Sequence, residues 1–335
     1  MKIIDFMKGT KRIYQQNKGS KYYEVSPYSF QNWWKVDPRQ DWFYRFMKCH
    51  FPDNKYPVRF YSVFGAGRNL KDSFTGAKVF YSGENLESHI CYEDMNLRRS
   101  VLTYWKYRQK HYGRYATEYV DLALGMGERD DIEKYLRLPE WIPYLINPES
   151  DYEACKRQVR EFNESRVKEN AKGAVLVASQ DDYGTRDRIV RDLEDVIDIT
   201  YAGKWRNNSD VLKTVYNDEK ELLLPDFRFN ICPENVDAKG YCTEKIFEAF
   251  KAGTIPIYHG ACNEPEKELI NPQSVIFWNY DSDNKDNISE VKRLNEDDAY
   301  YEKFVNQVRL YPQTADYIYD KLTELEKRIA MILKS

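Results

Sequence analysis

The sequence predicts an α/β protein of two Rossmann-like units with a cleft between them. Three observations point there. At 335 residues the chain has room for two domains of about 150 residues each. Short, apolar, β-rich runs alternate with helical patterns, the signature of parallel sheets covered on both faces. The runs also fall into two sets, separated by a charged, strand-free stretch at residues 151–173.

The first set comprises residues 58–65, 78–84 and 120–126, each reading as a buried strand. Helical patterns at residues 37–51 and 98–112 lie beside them. Residues 151–173 are helical in pattern and suit a connector. The second set runs through residues 174–179, 198–203, 227–232, 254–260 and 275–280. At the end of the chain Ile318, Leu322, Leu325, Ile329 and Ile332 recur every three or four residues. They make one apolar stripe, expected to pack a closing helix on a domain. The predicted division is therefore 1–150, a connector helix at 151–172, a second domain at 173–310 and an amphipathic helix at 311–335. Ligands of such sheets bind beyond the carboxyl ends of the strands, so function is expected where those ends face the cleft.

Composition narrows the function classes. The chain has 51 basic and 54 acidic residues, a net charge of −3, which leaves no cationic excess to neutralise nucleic acid. No apolar run approaches the ~20 residues that span a bilayer. The opening MKIIDFMKGTKRIYQQ interrupts its apolar residues with charge and has no signal-peptide core. A cytoplasmic protein is expected, with peripheral attachment at the inner face of a membrane as its one membrane role. Six cysteines without a CxxC pair predict reduced thiols, and four histidines without HExxH spacing offer no catalytic zinc site. The 28 tyrosines are expected to serve packing first, with stacking on sugars as the alternative.

Residues 227–261 stand apart: FRFNICPENVDAKGYCTEKIFEAFKAGTIPIYHGA. A strand runs into Pro233, Glu234 and Asn235. A loop follows, and a helix is expected to open at Thr243, a good N-cap type. Ile246, Phe247, Ala249 and Phe250 give that helix its buried side, and Gly253 its C-terminal stop. Its first turn carries Glu244 and Lys245. A helix N-terminus with a lysine suits phosphate, and a carboxylate beside it suits ribose hydroxyls. The plainer alternative is an ordinary acidic first turn with a solvated lysine.

This segment resembles the donor-site signature of the α-1,3/α-1,4-fucosyltransferases, glycosyltransferase family 10. Phe227, Phe229, Glu234, Asn235, Tyr241, Thr243, Glu244, Lys245, Ala249, Pro256, Tyr258 and Gly260 match it in order. Asn32-Trp33-Trp34, residues 80–85 (FYSGEN), Tyr135-Leu136-Arg137-Leu138-Pro139, and Ala178-Ser179 with Arg186 are similar to further motifs of bacterial members. The resemblance spans roughly residues 30–280. It implies a GT-B fold, with an acceptor-binding N-terminal domain and a donor-binding C-terminal one. It also implies inverting transfer of L-fucose from GDP-β-L-fucose to a hydroxyl of an oligosaccharide acceptor, such as O3 of GlcNAc or Glc in a lipopolysaccharide. No metal or other cofactor is required, a divalent metal being stimulatory at most.

By the same resemblance Glu84 is the base that takes the acceptor's proton, with Glu87 as its rival. Arg186 and Lys245 meet the leaving diphosphate, where charge develops. Arg188 and Arg191 are expected to be surface charge. Glu244 binds ribose hydroxyls, Tyr241 packs on nucleotide or sugar, and Glu234 and Asn235 reach the fucose or the diphosphate. Pro233 replaces the aromatic residue common before Glu-Asn in the family, which bears on the donor-sugar pocket. The alternatives are transfer of another GDP-sugar and a non-catalytic nucleotide- or glycan-binding protein.

Overall fold

Continuous apolar runs become parallel strands in both halves of the chain. The computed structural model describes residues 2–86, 99–280 and 282–333. They form two units, Met1–Asp151 with Tyr317–Ser335, and Tyr152–Asp316.

The first unit holds a six-stranded sheet in simple sequence order: β1 (Lys21–Val25), β2 (Tyr28–Trp33), β3 (Val58–Tyr61), β4 (Ala77–Ser82), β5 (Leu122–Gly125) and β6 (Tyr135–Arg137). β1 and β2 form an antiparallel hairpin, and every later pairing is parallel. The predicted strands at 58–65, 78–84 and 120–126 are β3, β4 and β5, each with its end trimmed to a turn. The helix Trp42–His50 starts where Asp41 accepts from the Phe43 amide, and it buries Trp42, Phe43, Phe46 and Met47. Aromatic rings fill the space between this helix and the sheet. Phe30 and Phe60 stack at 5.3 Å, and Phe43 meets Tyr81 at 4.9 Å. Tyr28, Tyr61, Tyr112 and Tyr115 are fully buried, so these tyrosines serve packing. A helix over Lys2–Lys18 was not apparent from the charged N-terminal sequence.

The second unit holds a five-stranded, all-parallel sheet: β7 (Ala174–Leu176), β8 (Ile199–Tyr201), β9 (Phe229–Ile231), β10 (Ile255–Tyr258) and β11 (Ile276–Phe277). The order across it is β8, β7, β9, β10, β11. The chain steps outward to β8, then returns past β7 to β9, so the direction of winding reverses between β7 and β9. That is the switch point at which doubly wound sheets bind ligands. Leu176, Ile189, Val190, Leu193, Ile231 and Ile257 are among the residues that close the core.

The helix Tyr152–Glu164 buries Cys155, Val159 and Phe162 and belongs to the second unit. The closing helix Thr314–Ile332 buries Ile318, Leu322, Leu325 and Ile329, as its apolar stripe requires, and from Tyr317 onward it belongs to the first. Cys49, Cys155, Cys232 and Cys242 are free thiols, whereas Cys262 is disulfide-bonded, so the expectation of reduced thiols throughout does not hold. No helix among the described residues is long and apolar enough to cross a membrane.

Candidate functional site

β9 ends in a loop that turns Glu234 inward and Asn235 toward the neighbouring strand β7. The Glu234 amide donates to the His259 carbonyl at 2.8 Å, which ties the loop to the end of β10. The Glu234 side chain is fully buried. Its carboxylate accepts from the Thr243 amide and hydroxyl, both at 2.7 Å, from Lys245 Nζ at 2.9 Å and from the Tyr258 hydroxyl at 3.2 Å. Gly260 makes room for it. At φ 147° a Cβ on Gly260 would lie 2.6 Å from Glu234 Cγ. Glu234 is thus engaged by protein donors, whereas the family resemblance implies a reach to the sugar or diphosphate.

The helix starts one residue later than expected, at Lys245, with Glu244 rather than Thr243 in the N-cap position. Thr243 does not cap it, because its hydroxyl is committed to Glu234. Lys245 keeps a partly exposed ammonium 3.8 Å from Glu244. Burial pushes the Glu244 carboxyl up, but the cations of Lys245 and Lys220 outweigh it, so its pKa lies below the ordinary glutamate value.

Arg186 approaches from the other side of the switch point. It is the second residue of the helix Thr185–Leu193, which follows β7 and is entered through the left-handed Gly184. Asp181 holds the first turn, accepting from the Asp187 amide at 2.8 Å and the Arg186 amide at 3.3 Å. The Arg186 guanidinium donates to the Gln180 carbonyl at 3.0 Å and to Asn235 Oδ1 at 2.9 Å. Burial lowers its pKa, against the pull of Asp181 and Glu234. Tyr241 is buried within electrostatic reach of it. Arg188 stacks on Tyr280 at 4.6 Å and Arg191 pairs with Asp187, so neither joins this group.

The structure therefore gathers Arg186, Glu234, Asn235, Tyr241, Glu244 and Lys245 around the carboxyl ends of β7 and β9. Asp181, and the bond from the Thr243 hydroxyl to Glu234, are not indicated by the sequence, beyond the general capping signal of the run Asp181-Asp182 ahead of Gly184.

Glu84 lies in the first unit, in the turn after β4. Its amide donates to Ser82 Oγ at 3.1 Å. Its Oε2 is 2.9 Å from Nη1 of Arg108 on the helix Arg99–Tyr112. Glu87 lies outside the described residues. Among the described residues, no cluster of three His, Cys, Asp or Glu side chains could hold a metal ion.

Residues 167–327 match the model of the glycosyltransferase family 10 (fucosyltransferase) C-terminal domain, and residues 28–144 match that of the alpha-(1,3)-fucosyltransferase FucT N-terminal domain. The chain belongs to glycosyltransferase family 10. This family-10 chain is 28% identical to the alpha-(1,3)-fucosyltransferase FucT of Helicobacter pylori over 261 residues, 69% of this chain and 47% of that protein. It is 28% identical to the alpha-(1,4)-fucosyltransferase of Arabidopsis thaliana over 36% of this chain and 33% of that one. It is 30% identical to the GDP-fucose protein O-fucosyltransferase 3 of Xenopus laevis over 39% of this chain and 29% of that one. The match thus spans about half the length of the bacterial relative and a third or less of the other two. Two solved alpha1,3-fucosyltransferase structures, one with GDP, cover 91% of this chain and 89% of theirs, with TM-scores of 0.55 and 0.56 at 18% and 20% identity. That likeness shows the fold, the expected GT-B architecture.

Proposed function

We propose that this family-10 chain is an inverting fucosyltransferase. It moves L-fucose from GDP-β-L-fucose to a hydroxyl of a glycan acceptor, O3 of GlcNAc or Glc, with Glu84 as general base. The observation that carries the reading is the 2.9 Å bond from Arg186 to Asn235 across the switch point, with Lys245 at the helix start bonded to the adjacent Glu234. A buried, held guanidinium and an ammonium at a helix N-terminus suit a diphosphate. The fucosyltransferase relatives, and the solved neighbour with GDP, support a GDP-linked donor.

In this mechanism the bond from the acceptor oxygen to C1 of fucose forms as the bond from C1 to the phosphate oxygen breaks. GDP leaves with the electron pair, and the acceptor proton passes to Glu84. Arg186 and Lys245 stabilise the charge that grows on the diphosphate. With those cations in place the transfer needs no divalent metal, which stimulates it at most. Glu244, held as a carboxylate by Lys245 and Lys220, accepts from the ribose hydroxyls, and Tyr241 packs on the nucleotide. Asn235 steadies Arg186. Glu234 acts one step back, fixing Thr243 and Lys245.

Thermal stabilisation by GDP, GDP-fucose, GDP-mannose, UDP-galactose and CMP-sialic acid tests the donor. Ligand at 100 times its Kd adds about 2.7 kcal/mol to the stability of the folded state. Stabilisation by GDP and GDP-fucose alone is expected. GDP-mannose matching GDP-fucose would point to another GDP-sugar, with Pro233 as the first residue to examine. Glu84→Gln should abolish transfer and keep GDP binding. Binding without transfer in the unsubstituted protein would mark a non-catalytic binder.

A further inference from the structure

We propose that Arg108 is a positioning residue for Glu84, fixing the orientation of its carboxylate for proton transfer. The inference rests on the reading of Glu84 as the base. The pair is asymmetric: the Arg108 side chain is only 8% exposed, while Glu84 is 36% exposed. A guanidinium is costly to bury, and the protein bears that cost at the rim of β4, where one Nη1 reaches Glu84 Oε2 at 2.9 Å. Exposed ion pairs contribute little because both partners stay mobile in water. Here the cation is fixed by burial and the carboxylate is presented from it toward solvent.

The backbone of Glu84 is held as well. Ser82 Oγ accepts from the Glu84 amide and donates to the Glu84 carbonyl, each at 3.1 Å. Gly83 lets the turn pass close to Glu140, whose carboxyl carbon would be 2.6 Å from a Cβ placed there. A second carboxyl therefore flanks the turn, and Arg108 is the cation that meets Glu84 from the opposing helix. Glu84 is thus clamped at both ends, at its backbone by Ser82 and at its carboxylate by Arg108. A general base needs that placement, since a shift of about 1 Å in a reacting group can cost about 100-fold in rate. The side chain acts through Glu84 and touches no reacting atom.

The test compares transfer by Arg108→Met, Arg108→Lys and Glu84→Gln in the full chain. Arg108→Met is expected to lower kcat about 100-fold, leave KM for GDP-fucose within twofold, and recover activity when guanidinium ion is added. Arg108→Lys, a point charge without the planar fork, is expected to fall between the two, at least tenfold below the unsubstituted protein, with its melting temperature kept. If Arg108→Met does not fold, Arg108→Lys decides alone. Unchanged kcat in the folded Arg108 variants, together with collapse of Glu84→Gln, overturns the inference and leaves the base standing. Full transfer by Glu84→Gln overturns the base assignment and this inference with it.

Discussion

Arg186 donates to Asn235 at 2.9 Å, joining the helix that follows β7 to the loop that leaves its neighbouring parallel strand β9. The bond spans the point where the sheet reverses its winding, so one contact links the fold's topology to its chemistry. Arg186→Lys keeps a charge but loses the fork that serves Gln180, Asn235 and a phosphate together. Isothermal titration should find GDP bound about 10- to 100-fold more weakly, the worth of one or two charge-assisted hydrogen bonds. Undiminished affinity would mean that the diphosphate lies elsewhere.

Glu234 should matter for stability more than for direct ligand contact. Its carboxylate receives donors from Thr243, Lys245 and Tyr258 with no solvent access. Glu234→Ala removes one half of a buried ion pair and should destabilise the second unit by about 3–5 kcal/mol. Urea unfolding followed with and without GDP checks this. A variant as stable as the parent but unable to bind GDP would return Glu234 to the role of a ligand contact.

Gly260 is expected to tolerate no side chain. Its φ of 147° lies in the range that favours glycine, and a Cβ would press on Glu234 at 2.6 Å. Gly260→Ala should cost about 1–3 kcal/mol in backbone strain and weaken GDP binding through Glu234 and Lys245. A melting temperature equal to the parent's would contradict the geometry.

Asp41 makes part of the first unit's stability depend on pH. Burial pushes its pKa from 3.8 up to about 6, against the opposing bonds from Trp33 Nε1 at 2.8 Å and the Phe43 amide at 2.9 Å. The folded state holds this proton more tightly than the unfolded chain. The favourable contribution is therefore full below about pH 4 and is lost as pH rises through about 6. A shift of that size is worth about 3 kcal/mol. Asp41→Asn cannot titrate, so between pH 4 and pH 7 it should gain about that much on the parent in urea unfolding. A constant gap between the two proteins would refute the shift.

Much of the fold is legible where strands are buried on both faces. The runs that become β3, β4, β5 and β7 to β11 are apolar enough to announce themselves. The β1–β2 hairpin is not, because KYYEVSPYSFQNWW mixes polar and aromatic residues without an apolar run. The candidate site shows the same divide. Glu244 and Lys245 are readable from one helix start, and Arg186 from its motif. The inward turn of Glu234 is not, since its partners lie 9, 11 and 24 residues further along and meet it only once β9 and β10 are side by side. Arg108 is equally silent in sequence: its meeting with Glu84 depends on how the helix Arg99–Tyr112 lies against β4.

The second unit is one unbroken stretch, Tyr152–Asp316, while the first is assembled from both ends of the chain. Its two border residues touch: the Tyr152 hydroxyl donates to Asp316 at 2.7 Å. A segment whose start and finish already meet has the form of an insert, carried within a host that closes around it in sequence. Arg186, Asn235, Glu244 and Lys245 all lie within that insert. A short bridge between its ends would allow new termini to be opened elsewhere in it.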